Sequence, residues 1–145
     1  MRMKYISCFV LLYLVTIIVQ AAELRIENGY VPEAPPVAPV MAGYLTLVNT
    51  TNQPITITAS RSDEFKRVEI HNMMMHDGMM HMEKQDRLTI PAHAKVSLEP
   101  GGYHLMLINP RRAFRAGEKI KITFVLSSGK QQTVILPVKK TAAPE

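Results

Sequence analysis

No window of this chain sustains a 3.6-residue apolar period. Short alternating or β-branched runs recur instead, roughly every 8–12 residues, with turn chemistry between them. Leu24 and Ile26 alternate with Arg25 and Glu27 in a first strand expected over Glu23 to Val31. Pro32, Pro35, Pro36 and Pro39 then exclude a helix or a central strand and predict an extended surface loop. Further strands are expected over Met41 to Asn49, Ile55 to Ser60, Val68 onward, Arg87 to Pro91, Lys95 to Leu98 and Tyr103 to Ile108. Asn109-Pro110 is expected to end the last of these. A closing hairpin, Ile120 to Leu126 and Gln132 to Val138, turns through Ser127-Ser128-Gly129-Lys130. The pattern predicts an all-β, antiparallel sandwich or barrel.

The amino terminus reads as an address. Met1-Arg2-Met3-Lys4 is positive, Ile6 to Val19 is almost wholly apolar, and Val19-Gln20-Ala21 has the small-residue character of a signal-peptidase site. We expect a secretory signal over residues 1–21, cleaved near Ala21, and one domain over 22–145. The apolar run is shorter than the ~20 residues of a transmembrane helix, so no membrane span is expected after cleavage. The mature chain keeps 15 Lys and Arg against 12 Asp and Glu, a net charge of +3. That excess is too small and too scattered to argue for nucleic acid. Arg111-Arg112 and Lys139-Lys140 are read as solvated surface charge.

Cys8, the only cysteine, lies inside that signal. Cleavage therefore removes every disulfide, thiolate nucleophile and thiolate ligand. A blue-copper electron-transfer site, which needs a cysteine sulfur, is excluded with them. So is thiol–disulfide chemistry.

Against that background, His71-Asn72-Met73-Met74-Met75-His76-Asp77-Gly78-Met79-Met80-His81-Met82 stands out. It holds six of the ten methionines and three of the five histidines. Core strands alternate, so methionine on both faces of one segment is not core filling. Exposed, these side chains would form a costly apolar patch without a purpose. Thioether sulfur is soft and uncharged, imidazole is a borderline donor, and the combination suits Cu(I) rather than oxygen-seeking magnesium, calcium or manganese.

Asp77-Gly78 is a favoured two-residue hairpin turn. If it turns there, Met73 faces Met82 and Met75 faces Met80. His71, Met73, Met75, Met80 and Met82 then share one face, and Met74, His76, Met79 and His81 the other. His104 and Met106, one residue apart on a strand, also share a face, ~6.6–7 Å apart along the backbone. Leu105 and Leu107 then point into the core. Two histidines and two methionines make a neutral four-donor set for a monovalent soft ion. Met41 alone is read as core filling, and His93, in the turn Pro91-Ala92-His93-Ala94, as a surface residue.

The spacing His71, ten residues, Met82, twenty-one residues, His104-Leu105-Met106 resembles the H-x10-M-x21-H-x-M pattern of periplasmic PCu(A)C-type copper chaperones. The flanks are similar: Val68-Glu69-Ile70-His71, Pro100-Gly101-Gly102-Tyr103, Ala42-Gly43-Tyr44-Leu45 with Asn49, and Leu136-Pro137-Val138. The resemblance implies a cupredoxin-like Greek-key β-sandwich or barrel in the periplasm. It implies Cu(I) bound by His71, Met82, His104 and Met106. It further implies delivery to the copper-bearing subunit of cytochrome c oxidase or to another copper chaperone, and no enzymatic activity. Met73, Met74, Met75, His76, Met79, Met80 and His81 exceed what the pattern requires and are possible additional ligands. His76 and His81 are also suited to Cu(II) at a second site. A periplasmic copper storage or resistance protein, sequestering several ions through the Met-rich hairpin, is the alternative. A copper enzyme is a third reading, but no Ser/His/Asp set, phosphate loop or carboxylate pair supports catalysis.

Overall fold

The computed structural model describes residues 23–140. The expected signal over residues 1–21, with Cys8, lies outside the described residues. Ten strands follow in order: β1 Leu24–Pro32, β2 Val40–Asn49, β3 Ile55–Arg61, β4 Phe65–His76, β5 Met79–Gln85, β6 Leu88–Ile90, β7 Lys95–Leu98, β8 Tyr103–Pro110, β9 Lys119–Leu126 and β10 Gln131–Lys139. There is no helix among the described residues.

The strands close into a barrel. From β4 the order runs through β8, β7, β2, β1, β10, β9 and β3, and β3 returns to β4 at Ser60 and Val68. The expected all-β fold is present, and most neighbours are antiparallel. Two pairings are parallel instead: β1 with β10 at Val31 and Val138, and β7 with β8 at Leu98 and Tyr103. The first joins strands at opposite ends of the described chain and the second is a single rung between successive strands, and no hairpin periodicity announces either contact.

Alternation drives the packing. Leu105 and Leu107 on β8, Leu45 and Leu47 on β2, and Ile120, Ile122 and Phe124 on β9 are almost wholly buried. Each such side chain contributes ~1.5–3 kcal/mol of transfer free energy, more than the ~0.2–1 kcal/mol of a cross-strand pair. Burial therefore sets the register. Met41 joins this core, as its reading as filler required. Phe65 stacks on Phe114, ring centres 5.3 Å apart, both buried.

Prolines punctuate the sheet where it can bear them. Pro32, Pro110 and Pro137 all lie inside strands, each at the last rung of a ladder, where a missing N–H costs least. Asn109-Pro110 thus does not break β8. The strand runs on to Pro110, with Asn109 held at φ 51°.

Asn49, at the end of β2, is the main buried polar residue remote from the histidines. Its amide nitrogen donates to the carbonyls of Gln53, Ile90 and Pro91 at 2.7, 3.0 and 3.0 Å. Its Oδ1 accepts from the Thr51 backbone N–H and hydroxyl. One side chain so ties the β2–β3 turn to the end of β6.

Candidate metal centre

β4 is longer than the barrel needs. Its rungs with β8 end at Asn72 and Tyr103, and from there to His76 it pairs only with β5. The result is a two-stranded arm. Asp77 at φ 49° and Gly78 at φ 76° form its turn, with both central residues left-handed as this hairpin requires. Met73 faces Met82 and Met75 faces Met80, the register that a turn at Asp77-Gly78 dictates.

At the base of the arm, His71 on β4 lies directly opposite His104 on β8, and their ring centres are 6.0 Å apart. Met106 stands two residues along β8 on the same face. A depression of about 350 Å³ is lined by Met73, Met82, His104 and Met106, with Val40, Tyr44, Pro100 and Gly101 around them. Three of the four residues of the sequence pattern therefore share one hollow. His71 abuts it through His104. Met73, expected only as a possible extra donor, stands with them. A second hollow, of about 380 Å³, is lined by Arg61, Lys66, Arg67 and Lys84, among others, and holds none of these histidines or methionines.

Both rings are fixed by their other nitrogen. His71 Nε2 lies 2.8 Å from Glu69 Oε2. A carboxylate only accepts, so Nε2 carries the proton and Nδ1 keeps its lone pair. His104 Nδ1 lies 3.1 Å from the Gly102 carbonyl, which also only accepts, so Nε2 of His104 is the free nitrogen. The same carbonyl takes the Met73 backbone N–H at 3.1 Å and locks the arm to β8. The hydrogen bond from His71 holds Glu69 below the usual carboxylate range. Burial opposes it, and Arg67 and Lys84 reinforce it. Glu69 thus stays an acceptor.

One atom is conspicuous. His71 Nδ1 is buried and has no hydrogen-bond partner. A buried acceptor left bare costs on the order of 1–3 kcal/mol, and a free imidazole lone pair on a ring whose neighbour is a second imidazole is what a soft cation would satisfy. Glu69 and Gly102 were missed in the sequence reading. Glu69 was legible in principle, since two residues before His71 on a strand means the same face. The Gly102 contact depends on the fold of its turn.

The family model described as "Putative lipoprotein LpqE-like" matches residues 24–138. The chain belongs to the LpqE-like family. Protein RP573 of Rickettsia prowazekii is 33% identical over 98 residues, which cover 67% of this chain and 54% of that relative, so the match spans only about half its length. The solution structure of CuI-DR1885 from Deinococcus radiodurans is 30% identical, covers 85% of this chain and 83% of its own, and superposes with a TM-score of 0.66. The copper-bound PCuAC domain from PmoF2, at 19% identity, shares the fold over 84% of this chain and 97% of its own, with a TM-score of 0.69. The kinship with PCu(A)C-type domains read from the histidine and methionine spacing is borne out.

The arm of this LpqE-like domain carries a second set of donors. Met74 faces His81 and His76 faces Met79 on the side away from His71 and Met82. His76 and His81 are edge to face, with ring centres 6.2 Å apart. His93 has no part in either group. It is exposed and contacts Asn52 Oδ1 at 2.6 Å.

Proposed function

We propose that this LpqE-like protein is an exported copper chaperone that holds Cu(I) through His71, Met82, His104 and Met106 and hands it to a copper-requiring acceptor. The observation that carries the reading is the pair of facing imidazoles. Each is pinned through one nitrogen, and the free Nδ1 of His71 is buried without a partner. Bound by four neutral donors, Cu(I) keeps its single charge, which a soft-ligand site tolerates and a divalent ion would not. The copper is cargo: the site has no thiolate, and binding and release, rather than turnover, are its chemistry.

Access decides the transfer step. His104 is buried, whereas Met82 is 51% exposed at the rim. An incoming acceptor displaces Met82 first, by ligand exchange, while the two histidines retain the ion. The relatives' lipoprotein description and the expected signal over residues 1–21 support the periplasm as the compartment. The resemblance drawn from the motif supports the dinuclear copper centre of cytochrome c oxidase as the destination. Among the described residues no helix is long and apolar enough to cross a membrane.

X-ray absorption on the Cu(I) form tests the site. Sulfur and nitrogen scatterers are expected together, and a shell of oxygen alone overturns the reading. Met82→Ala and Met106→Ala are each expected to weaken Cu(I) and lower the fitted sulfur count, while the apo protein melts close to wild type. Neither residue is fully buried, so neither should show the ~2–5 kcal/mol cost of truncating a core methionine. A large loss of apo stability would make them packing residues instead.

Glu69→Ala is expected to weaken Cu(I) roughly 10–100-fold, the usual effect of removing the partner that orients a metal-binding imidazole. Competition with a Cu(I) chelator measures it. An unchanged affinity would show that the His71 ring is positioned without Glu69.

A further inference from the structure

We infer that the outer face of the β4–β5 arm is a second Cu(I) site, built from Met74, His76, Met79 and His81. It requires copper as cargo, as the reading above does, but none of the same ligands. The four residues form a rectangle on the ladder, with Met74 across from His81 and His76 across from Met79. Directly opposed side chains on such a ladder have Cβ atoms ~4.5–5.5 Å apart, and diagonal ones stay within reach of long side chains. The diagonal pair here is the two imidazoles.

Their separation suits a shared ion. With each ring nitrogen ~2.0–2.1 Å from one ion, as in zinc–imidazole bonds, and the ring centre about 1.1 Å behind it, two ring centres lie at most ~6.4 Å apart, when the ion sits on the line between them. The observed separation is 6.2 Å, against 6.0 Å for His71 and His104 at the base of the arm. The donor set is also the same, two imidazoles and two thioethers, which selects a soft monovalent cation. Met74 and Met79 are 42% and 62% exposed, so neither serves the core. Among the described residues the one charged contact of the group is His76 with Asp77 at 3.4 Å, exposed on both sides and weak enough to yield to a metal. The two faces of the arm point in opposite directions, so the two ions would not share a ligand.

The test counts ions on the full mature protein by native mass spectrometry, with Cu(I) under reducing conditions and with Ag(I) as a redox-silent probe. Wild type is expected to take up one ion more than a variant carrying Met74→Leu, His76→Asn, Met79→Leu and His81→Asn. Should that variant fold poorly, His76→Asn with His81→Asn alone is expected to lose the same ion. A wild-type count in the folded variant overturns the second site. A separate variant, His104→Asn with Met106→Leu, isolates the first: if it keeps the full count while the arm variant loses an ion, the proposed chaperone site fails and the second site stands. Methionine methyl NMR locates the ions independently. Addition of Ag(I) to the His104→Asn, Met106→Leu protein is expected to move the Met74 and Met79 methyl signals, and static signals there also overturn the assignment.

Discussion

Replacing His104 with alanine is expected to lower Cu(I) affinity by at least ~100-fold. Losing a partner that merely orients a ligand already costs ~10–100-fold, and His104 is itself a proposed ligand. It is also the most buried of the four, 9% exposed, so no other side chain can swing into its place. Met82 differs, because Met80 stands two residues along β5 on the same face and can substitute for it. The ordering His104→Ala well below Met82→Ala is therefore part of the prediction. His104→Met, which restores a soft donor at that point, should recover a measurable fraction of the affinity. Competition against a chromophoric Cu(I) chelator measures all three. A loss of less than tenfold in His104→Ala would remove β8 from the site.

The largest effect on folding is expected far from the metal centre, at Asn49. Asn49→Ala strips partners from the carbonyls of Gln53, Ile90 and Pro91 and from the Thr51 N–H. Ile90 is fully buried, so water cannot readily replace the lost donor there. A buried polar group without a partner costs ~1–3 kcal/mol, and a total of about 3 kcal/mol corresponds to roughly 10 °C in Tm for a domain of this size. Asn49→Asp keeps the contacts to Thr51 but cannot donate to the three carbonyls, so it should be at least as damaging. Calorimetry decides both. Copper stoichiometry at temperatures where the variants remain folded should be unchanged, because nothing connects Asn49 to His71 or His104.

The arm and its register were legible in the sequence because they are local. Asp77-Gly78 specifies a two-residue turn, the side-chain period of two does the rest, and both faces follow from the residue numbers. The same period places His104 and Met106 together and sends Leu105 and Leu107 inward. Barrel closure was not legible. The parallel contact of β1 with β10 depends on packing between strands distant in sequence, and the meeting of β3 with β4 is a single rung, Ser60 with Val68, that no alternation marks. Proline was over-read for a related reason: a missing N–H forbids the interior of a ladder, not its last rung, and the sequence does not say where ladders end. The hydrogen bonds that fix the two imidazoles divide along the same line. Glu69 to His71 is a same-strand relation that alternation contains, whereas the Gly102 carbonyl reaches His104 and Met73 only once the turn before β8 has taken its shape.

Past Met73, whose N–H still meets the Gly102 carbonyl, β4 pairs only with β5 out to the turn. A strand pair built on a turn with a fixed register can be lengthened or shortened two residues per strand at a time, and each such step adds or removes one row on each face without rotating the rest. An odd step would swap the faces and misplace every donor. Metal-holding capacity on this scaffold is thus adjustable in discrete increments, by changes that leave the core untouched. A series of variants with the arm trimmed by one such step should melt alike and differ only in how many ions they carry.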